Sequence, residues 1–460
     1  MGVPPTPGLY CRGDLWSSVI EGLAFMYQQL IDFFKDKSVL ILGLGREGRA
    51  TYAFLRKHYP DKKLYIADRN QVTLDDENAQ LICGENYLDC INDFDIVMQS
   101  PGISLRDVKI KEGTTVTGEM DLFLRFVPCK KIGITGTKGK TTTTTLTYRM
   151  LQAGGVPSLI MGNIGTPVFE CIDEVIGKVA VIEMSCHQLE FAHASPDIAI
   201  FTNAYPEHLD HYNGFEGYIG AKLNIVRYQN EDDIFISSAD QPLEDIVGSL
   251  DFIKSNHKRI SCKAYETDEF FKSLTTLSEF LPGENQWQDI FFAATAVREF
   301  GVSDEAIEEA VAGFGGIAHR LEKFNVKNGI SFYDDAIATI PHAVLSNVKS
   351  LGNVGTLIIG GMDRGLDYSE FIDGLMTAPI DNLLCMPETG YAIADSLVAK
   401  GCKLNVVKCE TLEEAVAKSF ELTAPGKACL LSPAAASYNR YKNFEEKGNA
   451  FKALVANYDA

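Results

Sequence analysis

The sequence predicts an α/β protein of three domains built on open, largely parallel sheets. Two glycine-rich loops, at residues 43–48 and 133–142, each follow a short apolar run and precede a stretch that favours a helix. The order strand, glycine loop, helix is typical of α/β domains. After about residue 316, a third series of apolar runs alternates with helical stretches. A chain of 460 residues has room for about three domains of ordinary size.

The first predicted domain covers residues 1–128. Residues 1–12 are rich in proline and glycine and predict an irregular arm. Asp14 can cap a helix that ends near residue 34, so that residues 1–36 form an extra arm and helix. The apolar stretch 15–34 contains Glu21 and Asp32, which favours an amphipathic or core helix over the alternative of a membrane span.

The remainder of this domain carries a dinucleotide-type fingerprint. A predicted strand at 38–42 runs into the loop 43–48, which has the pattern GxGxxG, and a second strand at 64–67 ends at Asp68. This spacing predicts a Rossmann-like unit that binds a nucleotide diphosphate at the helix N-terminus. A further strand at 94–98 leads to the turn Ser100-Pro101-Gly102, where open α/β sheets bind ligands. An NAD-dependent oxidoreductase is the alternative enzyme class.

The second predicted domain, residues 129–316, begins with a phosphate loop. The buried strand 131–134 is followed by a Gly-Lys-Thr loop and a helix, and backbone N–H groups of such a loop cradle phosphates. Lys140 can reach the terminal phosphates, and the Thr141 hydroxyl can bind magnesium. The alternative is a plain glycine turn. The predicted ATP-binding residues of this loop are Gly136, Thr137, Lys138, Gly139, Lys140, Thr141 and Thr142.

Two further strand ends in this domain carry polar side chains. The strand 179–182 ends at Glu183, and the strand 197–202 leads to a segment that contains His208. A carboxylate and a histidine beside a phosphate loop suggest metal chemistry. The alternative is that both side chains are merely solvated.

The third predicted domain, residues 317–460, is a second Rossmann-like sheet. Its predicted strands lie at 330–333, 356–359, 382–386, 404–407 and 428–431, and helices separate the last four.

Composition limits the classes of partner and compartment. The net charge of −20 argues against non-specific binding to nucleic acid. The 11 cysteines include no CxxC pair, which argues against a structural zinc site. The sequence shows no signal peptide, so we expect a cytoplasmic protein with reduced thiols and no membrane span, and we expect a monomer.

Several segments together carry a resemblance to one family. They are residues 136–142, 162–165, 183–190, 206–210, 221–222 and 431–448. These segments resemble the Mur ligases, ATP-dependent enzymes that form amide bonds in peptidoglycan precursor synthesis. The resemblance covers nearly the whole chain after about residue 37. Folylpolyglutamate synthases share the phosphate loop, but that similarity does not extend to the first domain.

The resemblance implies a reaction in which ATP phosphorylates a substrate carboxylate and an amino acid then attacks the acyl-phosphate. It implies UDP-N-acetylmuramoyl-L-alanine and glutamate as substrates, with D-glutamate favoured and L-glutamate or another amino acid as the alternative. It implies two magnesium ions and a carbamylated Lys222. The implied catalytic residues are Lys140, Glu183, His208 and Lys222; the implied metal ligands are Thr141, Glu183, His208 and Lys222.

The resemblance also implies binding residues in all three domains. Asn163, His319, Arg320 and Asp335 are the further implied ATP contacts. The acceptor with its uridine nucleotide is expected to contact Gly43, Gly45, Gly48, Asp68, Arg69, Ser100, Gly102, Ser185 and Gln188. The incoming amino acid is expected to contact Arg364, Ser437, Tyr438 and Phe444, because an arginine fork suits a carboxylate.

The chain departs from the family pattern at two places. Ala336 and Ile337 stand where the family commonly has serine and lysine, and Gln286 and Asp289 stand where it has asparagines. These changes affect the expected amino-acid and adenine contacts and leave the phosphate loop intact. A pseudo-ligase that binds nucleotide without turnover is therefore a further alternative.

Overall fold

A computed structural model describes residues 25–207, 211–212, 214–277, 280–281, 283–339, 341–363 and 365–458. The predicted arm at 1–12 and the start of the predicted first helix lie outside these residues, while residues 25–33 are helical. The α/β prediction is confirmed. The chain forms two compact units, residues up to 314 and residues from 315 onward. The domain boundaries near residues 128 and 316 stay predictions.

The first unit contains two sheets, of which the earlier has five parallel strands in the order β3-β2-β1-β4-β5. Strand β1 reads Val-Leu-Ile-Leu and is buried throughout, as expected of a parallel strand covered on both faces. The strands are β1 (Val39–Leu42), β2 (Leu64–Asp68), β3 (Ala79–Cys83), β4 (Ile96–Gln99) and β5 (Thr115–Thr117). The helices are Arg46–His58 and Glu119–Phe126, with a 3-10 turn at Ile91–Asp93.

The second sheet has six parallel strands in the order β11-β10-β9-β6-β8-β7. In its register Ile134 of β6 pairs with Glu183 of β8 and with Ile200 of β9. The carboxyl ends of these three strands therefore meet where the phosphate loop begins. The strands are β6 (Lys130–Thr135), β7 (Ser158–Gly162), β8 (Val179–Glu183), β9 (Ile198–Phe201), β10 (Ile234–Ser238) and β11 (Asn256–Ile260).

Helices cover this second sheet and extend from it. The helix Lys140–Ala153 follows the phosphate loop and packs against Glu284–Arg298. The other helices are Ile172–Val175, Cys186–Leu189, Phe215–Arg227, Leu243–Gly248, Glu269–Leu274 and Asp304–Ala312, with 3-10 turns at Val168–Cys171 and Ala264–Glu266.

The second unit holds a six-stranded sheet in the order β12-β13-β17-β14-β15-β16. All pairs are parallel except β12 with β13. The strands are β12 (Glu322–Lys327), β13 (Ile330–Asp334), β14 (Val354–Ile359), β15 (Asn382–Cys385), β16 (Asn405–Lys408) and β17 (Ala428–Leu431). The helices are Pro341–Leu351, Ser369–Leu375, Thr389–Ala399, Leu412–Leu422 and Phe444–Ala456.

All predicted strands of the three sheets are present, within two residues of the expected bounds at each end. Strands β3, β5, β7, β10, β11 and β12 were not predicted. In the part of the chain that the structure describes, no helix is long and apolar enough to cross a bilayer.

Candidate active site

The phosphate loop has the backbone geometry that its glycines allow. Gly139 has a φ of +82° and immediately precedes the helix Lys140–Ala153. A Cβ at this position would lie 2.3 Å from Oδ1 of Asp289, so glycine is required both by the left-handed backbone and by the space. The loop is also fixed from the end of β9, because Asn203 accepts hydrogen bonds from the backbone N–H groups of Thr137 and Lys138.

Lys140 lies folded over this loop. Its Nζ donates to the backbone carbonyls of Gly136 and Thr137, each at 2.9 Å. These carbonyls hold the ammonium group close to the loop that is expected to receive phosphate. Thr141, the next residue, is buried at the first turn of the helix.

Lys222 approaches the same loop from the helix Phe215–Arg227. It is buried, and its Nζ donates to the Gly136 carbonyl at 2.8 Å and lies 4.8 Å from the ring centre of Tyr218. Burial, with a further contribution from the charge of nearby Lys140, lowers the pKa of Lys222 to about 7. A substantial share of this amine is therefore neutral at neutral pH.

Glu183 ends β8 beside the loop and is buried. Its Oε1 accepts a hydrogen bond from Nδ2 of Asn163 at 2.6 Å. Its Oε2 is buried and has no hydrogen-bond partner among the residues that the structure describes. A buried carboxylate oxygen without a partner is costly, so this atom is suited to a bound cation.

A cavity of about 310 Å³ brings five of the predicted residues together, namely Gly102, Lys140, Asn163, Ser185 and Lys222. The predicted residues Gly43, Gly45, Gly48, Asp68 and Arg69 do not line it. It lies where the phosphate loop, the end of β7, the turn after β8 and the turn after β4 meet. Glu207, one of the lining residues, forms an ion pair with Lys138 at 3.0 Å. The lining residues are Pro101, Gly102, Lys140, Asn163, Ser185, Cys186, His187, Glu207, Tyr218 and Lys222.

Ser185 and Gln188 form a capping box at the turn after β8. The Gln188 N–H donates to Ser185 Oγ, and the Gln188 Oε1 accepts from the Ser185 N–H. The Gln188 Nε2 donates to Oε1 of Glu47 at 2.6 Å. The side-chain amide of Gln188 is thus committed on both sides to protein groups.

The glycine loop of the first sheet is held by its own neighbours. Ser100 Oγ donates to the Gly43 carbonyl at 2.8 Å, and Asp68 Oδ2 accepts from the Leu44 N–H at 2.8 Å. A Cβ at Gly48 would lie 1.9 Å from the Gly43 carbonyl oxygen. Asp68 therefore orders this loop, while Gly45 and Arg69 are exposed.

The second unit carries a buried histidine–aspartate pair. His319 Nδ1 lies 2.6 Å from Asp334 Oδ2. The group His319, Glu322 and Asp334 has the spacing of a metal site, but Lys452 forms ion pairs with both carboxylates and offsets part of their charge.

The other predicted nucleotide contacts of this unit differ in exposure. Asp335 is buried and accepts hydrogen bonds from Ser432 Oγ at 2.6 Å and Asn347 Nδ2 at 2.7 Å. Burial raises the pKa of Asp335 to about 6. Arg320 is exposed.

The predicted amino-acid residues of this unit are described in part. Ser437 is buried, and its Oγ has no hydrogen-bond partner within the described ranges. Tyr438 is exposed, and Phe444 packs edge-on against His319. Arg364, and His208 of the first unit, lie outside the described residues.

Three contacts of the candidate site residues were not predicted. Glu47 accepts a hydrogen bond from Gln188, and Tyr218 forms a hydrogen bond with Thr137 Oγ1 at 3.0 Å. In the second unit the buried Lys447 donates to the Gly360 carbonyl at 2.7 Å, and burial lowers the pKa of Lys447 to about 7. The one sequence feature that could have indicated Lys447 is its position on the apolar face of the helix Phe444–Ala456.

A parallel sheet with a Gly-Lys-Thr loop, beside which lie the buried Lys222 and buried carboxyl groups, defines a nucleotide-handling α/β protein of the phosphate-loop class. Residues 134–279 match the model of the Mur ligase middle domain. UDP-N-acetylmuramoylalanine–D-glutamate ligase of Clostridium botulinum strain 657 is 32% identical over 453 residues, which cover 93% of this chain and 98% of the relative. The corresponding ligase of Clostridium kluyveri is 32% identical over 451 residues, covering 92% and 97%. The chain belongs to the Mur ligase family.

Solved structures show the same fold. UDP-N-acetylmuramate–alanine ligase of Thermotoga maritima has a TM-score of 0.52 at 17% identity, covering 91% of this chain and 99% of that one. The MurF ligase of the same organism, solved in complex with ADP, has a TM-score of 0.52 at 16% identity, covering 91% and 95%. The three-domain α/β architecture and the family expected from the sequence are thereby confirmed.

Proposed function

We propose that the protein is an ATP-dependent ligase that joins glutamate, with the D enantiomer favoured, to UDP-N-acetylmuramoyl-L-alanine. The observation that carries this proposal is the cavity in which Lys140, Lys222 and Asn163 meet the turn Pro101–Gly102 of the first sheet. Relatives with the matching name align over more than nine-tenths of the chain. A phosphate loop and an acceptor-binding turn that face one cavity suit phosphoryl transfer from ATP to an acceptor carboxylate.

In this reaction the γ-phosphoryl group of ATP passes to the acceptor carboxylate, and ADP leaves. The amine of the incoming amino acid then attacks the acyl carbon, and phosphate leaves as the amide bond forms. Lys140 neutralises the charge of the phosphates, which is the main task of a protein in phosphoryl transfer. The backbone N–H groups of the loop Gly136–Thr142 position the phosphates, and Asn163 lies beside this loop.

The residues of the first unit fit magnesium. Glu183 offers a buried oxygen that has no hydrogen-bond partner among the described residues, and Thr141 offers a hydroxyl at the start of the helix. Both are hard oxygen ligands. Thr141 and Glu183 would hold one ion, and His208 with a carbamylated Lys222 would hold another. Bound magnesium would neutralise the oxygens between which the phosphoryl group passes.

Carbamylation of Lys222 is consistent with its surroundings. A neutral amine adds to CO₂, forming an N–C bond and releasing one proton to solvent, and the product is an anionic carbamate. The lowered pKa of Lys222, about 7, leaves enough neutral amine for this addition. The change from a cation to an anion also removes the repulsion between Lys222 and Lys140.

The remaining predicted residues would bind the acceptor, the incoming amino acid and the nucleotide. The uridine diphosphate would lie at the glycine loop with Gly43, Gly45 and Gly48 and beside Arg69, and Ser100 and Asp68 would act by ordering that loop. Ser185 would contact the muramoyl-alanine end. The incoming amino acid would meet Arg364, Ser437, Tyr438 and Phe444, and His319, Arg320 and Asp335 would serve the nucleotide.

A phosphate-release assay with the purified full chain tests the proposal. ATP, magnesium, UDP-N-acetylmuramoyl-L-alanine and D-glutamate together should release phosphate, and mass spectrometry should show the acceptor extended by one glutamate. Omission of either substrate should abolish release. Turnover with L-glutamate or an uncharged amino acid in place of D-glutamate would correct the substrate. ATP binding without any turnover would instead favour the pseudo-ligase.

A further inference from the structure

Two adjacent residues of the glycine loop reach across to the second sheet. They are Arg46 and Glu47, the two variable positions before the last glycine of the pattern GxGxxG. The Arg46 guanidinium donates to the backbone carbonyl of Gly165. The Glu47 carboxyl accepts from Gln188 Nε2 at 2.6 Å. Each residue therefore contacts a different loop at the carboxyl edge of the second sheet.

Both of these loops carry residues that line or support the cavity of about 310 Å³ described above, here called the reaction cavity. Gly165 lies two residues after Asn163, which lines the cavity and bonds Glu183. Gln188 holds Ser185, another lining residue, because its Oε1 accepts from the Ser185 N–H at 2.9 Å and from its hydroxyl at 3.2 Å. Glu47 is therefore two hydrogen-bonded steps away from the cavity.

The environment of Glu47 suits a structural contact rather than a ligand. The residue lies in the first turn of the helix Arg46–His58, where an anionic ligand would be expected. Burial raises the pKa of Glu47 to about 7, against smaller opposing contributions from Gln188 and Arg46. Glu119 from the neighbouring helix is also buried, and its Oε1 accepts from Thr51 Oγ1 at 2.9 Å.

We propose that Arg46 and Glu47 are positioning residues that couple the seating of a nucleoside diphosphate at the glycine loop to the geometry of the reaction cavity. The identity of the ligand rests on the proposed function. A diphosphate that orders residues 43–48 would, through these two contacts, also order the Asn163–Gly165 loop and the Ser185–Gln188 turn. Acceptor binding and cavity assembly would then occur together.

Amide hydrogen exchange with UDP as the probe tests the coupling without any turnover. In the wild-type chain, UDP should slow exchange at residues 43–48 and also at residues 184–190. In Glu47→Ala the first response should remain and the second should be lost. Glu47→Gln keeps an acceptor oxygen for Gln188 and should restore the second response. Arg49→Ala, on the exposed side of the same helix, is the matched control.

Kinetics with the natural substrates supply the second measurement. Glu47→Ala should lower kcat/KM for the UDP-acceptor by roughly tenfold, the scale for loss of one buried hydrogen bond, while the KM for ATP stays within about twofold. Gln188→Ala should be at least as impaired, because it also removes the hydrogen bonds from Ser185. Adding Glu47→Ala to Gln188→Ala should cost little more, because both changes break one path.

The two proposals fail in different ways. If UDP protects residues 43–48 and 184–190 equally in wild type and Glu47→Ala, or never protects 184–190, the coupling is wrong whatever the reaction. If the coupling is present in exchange but no acceptor supports phosphate release, the proposed function is wrong and the positioning role stands. Multiplicative losses in the double variant would also overturn the shared path.

Discussion

Lys140 and Lys222 donate to the same carbonyl oxygen, that of Gly136, at 2.9 and 2.8 Å. The two lysines are far apart in sequence, one at the start of the helix after the phosphate loop and one in the middle of another helix. Their shared acceptor brings two amines to one side of the loop. Burial, with a smaller contribution from the charge of Lys140, lowers the pKa of Lys222 and favours the neutral form of its amine.

The first prediction concerns Lys140. Lys140→Ala should abolish phosphate release, because the variant loses the ammonium group that lies over the loop expected to hold the phosphates. The unfolding temperature should change little, since this ammonium donates to two carbonyls of a loop and is not part of a hydrophobic core. Lys130→Ala, an exposed lysine at the start of β6, is the control. Near-normal phosphate release from Lys140→Ala would refute the assignment of the loop.

The second prediction concerns CO₂ and Lys222. Removal of CO₂ and bicarbonate from the buffer should reduce turnover, and their return should restore it. Since the pKa of Lys222 is lowered to about 7, the neutral amine is lost as the pH falls below that value. The CO₂ requirement should therefore grow between pH 8 and pH 6. Lys222→Arg should be inactive at every CO₂ concentration, because a guanidinium stays charged. Equal activity with and without CO₂ would contradict carbamylation.

The third prediction concerns the stability contribution of Glu119. Burial, with a smaller contribution from Glu47, raises the pKa of Glu119 well above its usual range, and its Oε2 has no partner among the described residues. A carboxyl whose folded pKa is raised stabilises the fold fully below its unfolded pKa, and this stabilisation is lost as the pH rises.

Glu119→Gln keeps an acceptor for Thr51 and cannot ionise. It should raise the unfolding temperature at pH 8 by about 2–4 °C and have a smaller effect at pH 5. Thermal unfolding at both pH values measures this difference. The exposed Glu112→Gln should show no such pH dependence. An equal shift of Glu119→Gln at both pH values would show that charge is not its cause.

The fourth prediction concerns the incoming amino acid. Arg364→Ala should raise the KM for glutamate steeply and leave the KM for ATP nearly unchanged, because Ile337 removes one cation that the family commonly has at its site. Arg364→Lys should recover only part of the loss, since an ammonium cannot form the two-pronged contact. Initial rates at varied glutamate concentration measure both variants. Unaltered glutamate use by Arg364→Ala would remove glutamate from the assignment.

Local patterns in the sequence predicted most of the strands that are buried on both faces, together with the loops that follow them. They missed β10, which is buried and central in its sheet, and they found the edge strand β16, which is partly exposed. They missed β11, which reads Asn-His-Lys-Arg-Ile, because an edge strand needs little apolar character. They missed β12 for the same reason, since this antiparallel edge strand is only partly buried. Hydrophobic periodicity reports burial, and edge strands carry a weak signal of it.

The contacts that assemble the candidate site could not be predicted from spacing. Lys222 reaches a carbonyl 86 positions earlier, and Gln188 reaches a carboxyl 141 positions earlier. The family resemblance implies that Asp68 contacts the uridine nucleotide, and the structure gives Asp68 a hydrogen bond from the loop backbone. Sequence motifs predict candidate site residues, whereas the partner of each side chain depends on how the two sheets of the first unit pack.

The contacts of Arg46 and Glu47 bear on how this enzyme could be re-engineered or could diversify. Consider a chimera that takes its first 128 residues from a ligase with other residues at positions 46 and 47. This pair would face an unchanged Gly165 and Gln188. The transplanted segment could fold and keep its own glycine loop, while the hydrogen bond between residue 47 and Gln188 would be lost. Exchanging residues 47 and 188 together would preserve this hydrogen bond between the two sheets. The acceptor preference of such a chimera would then depend on whether residues 47 and 188 match, and not on the transplanted segment alone.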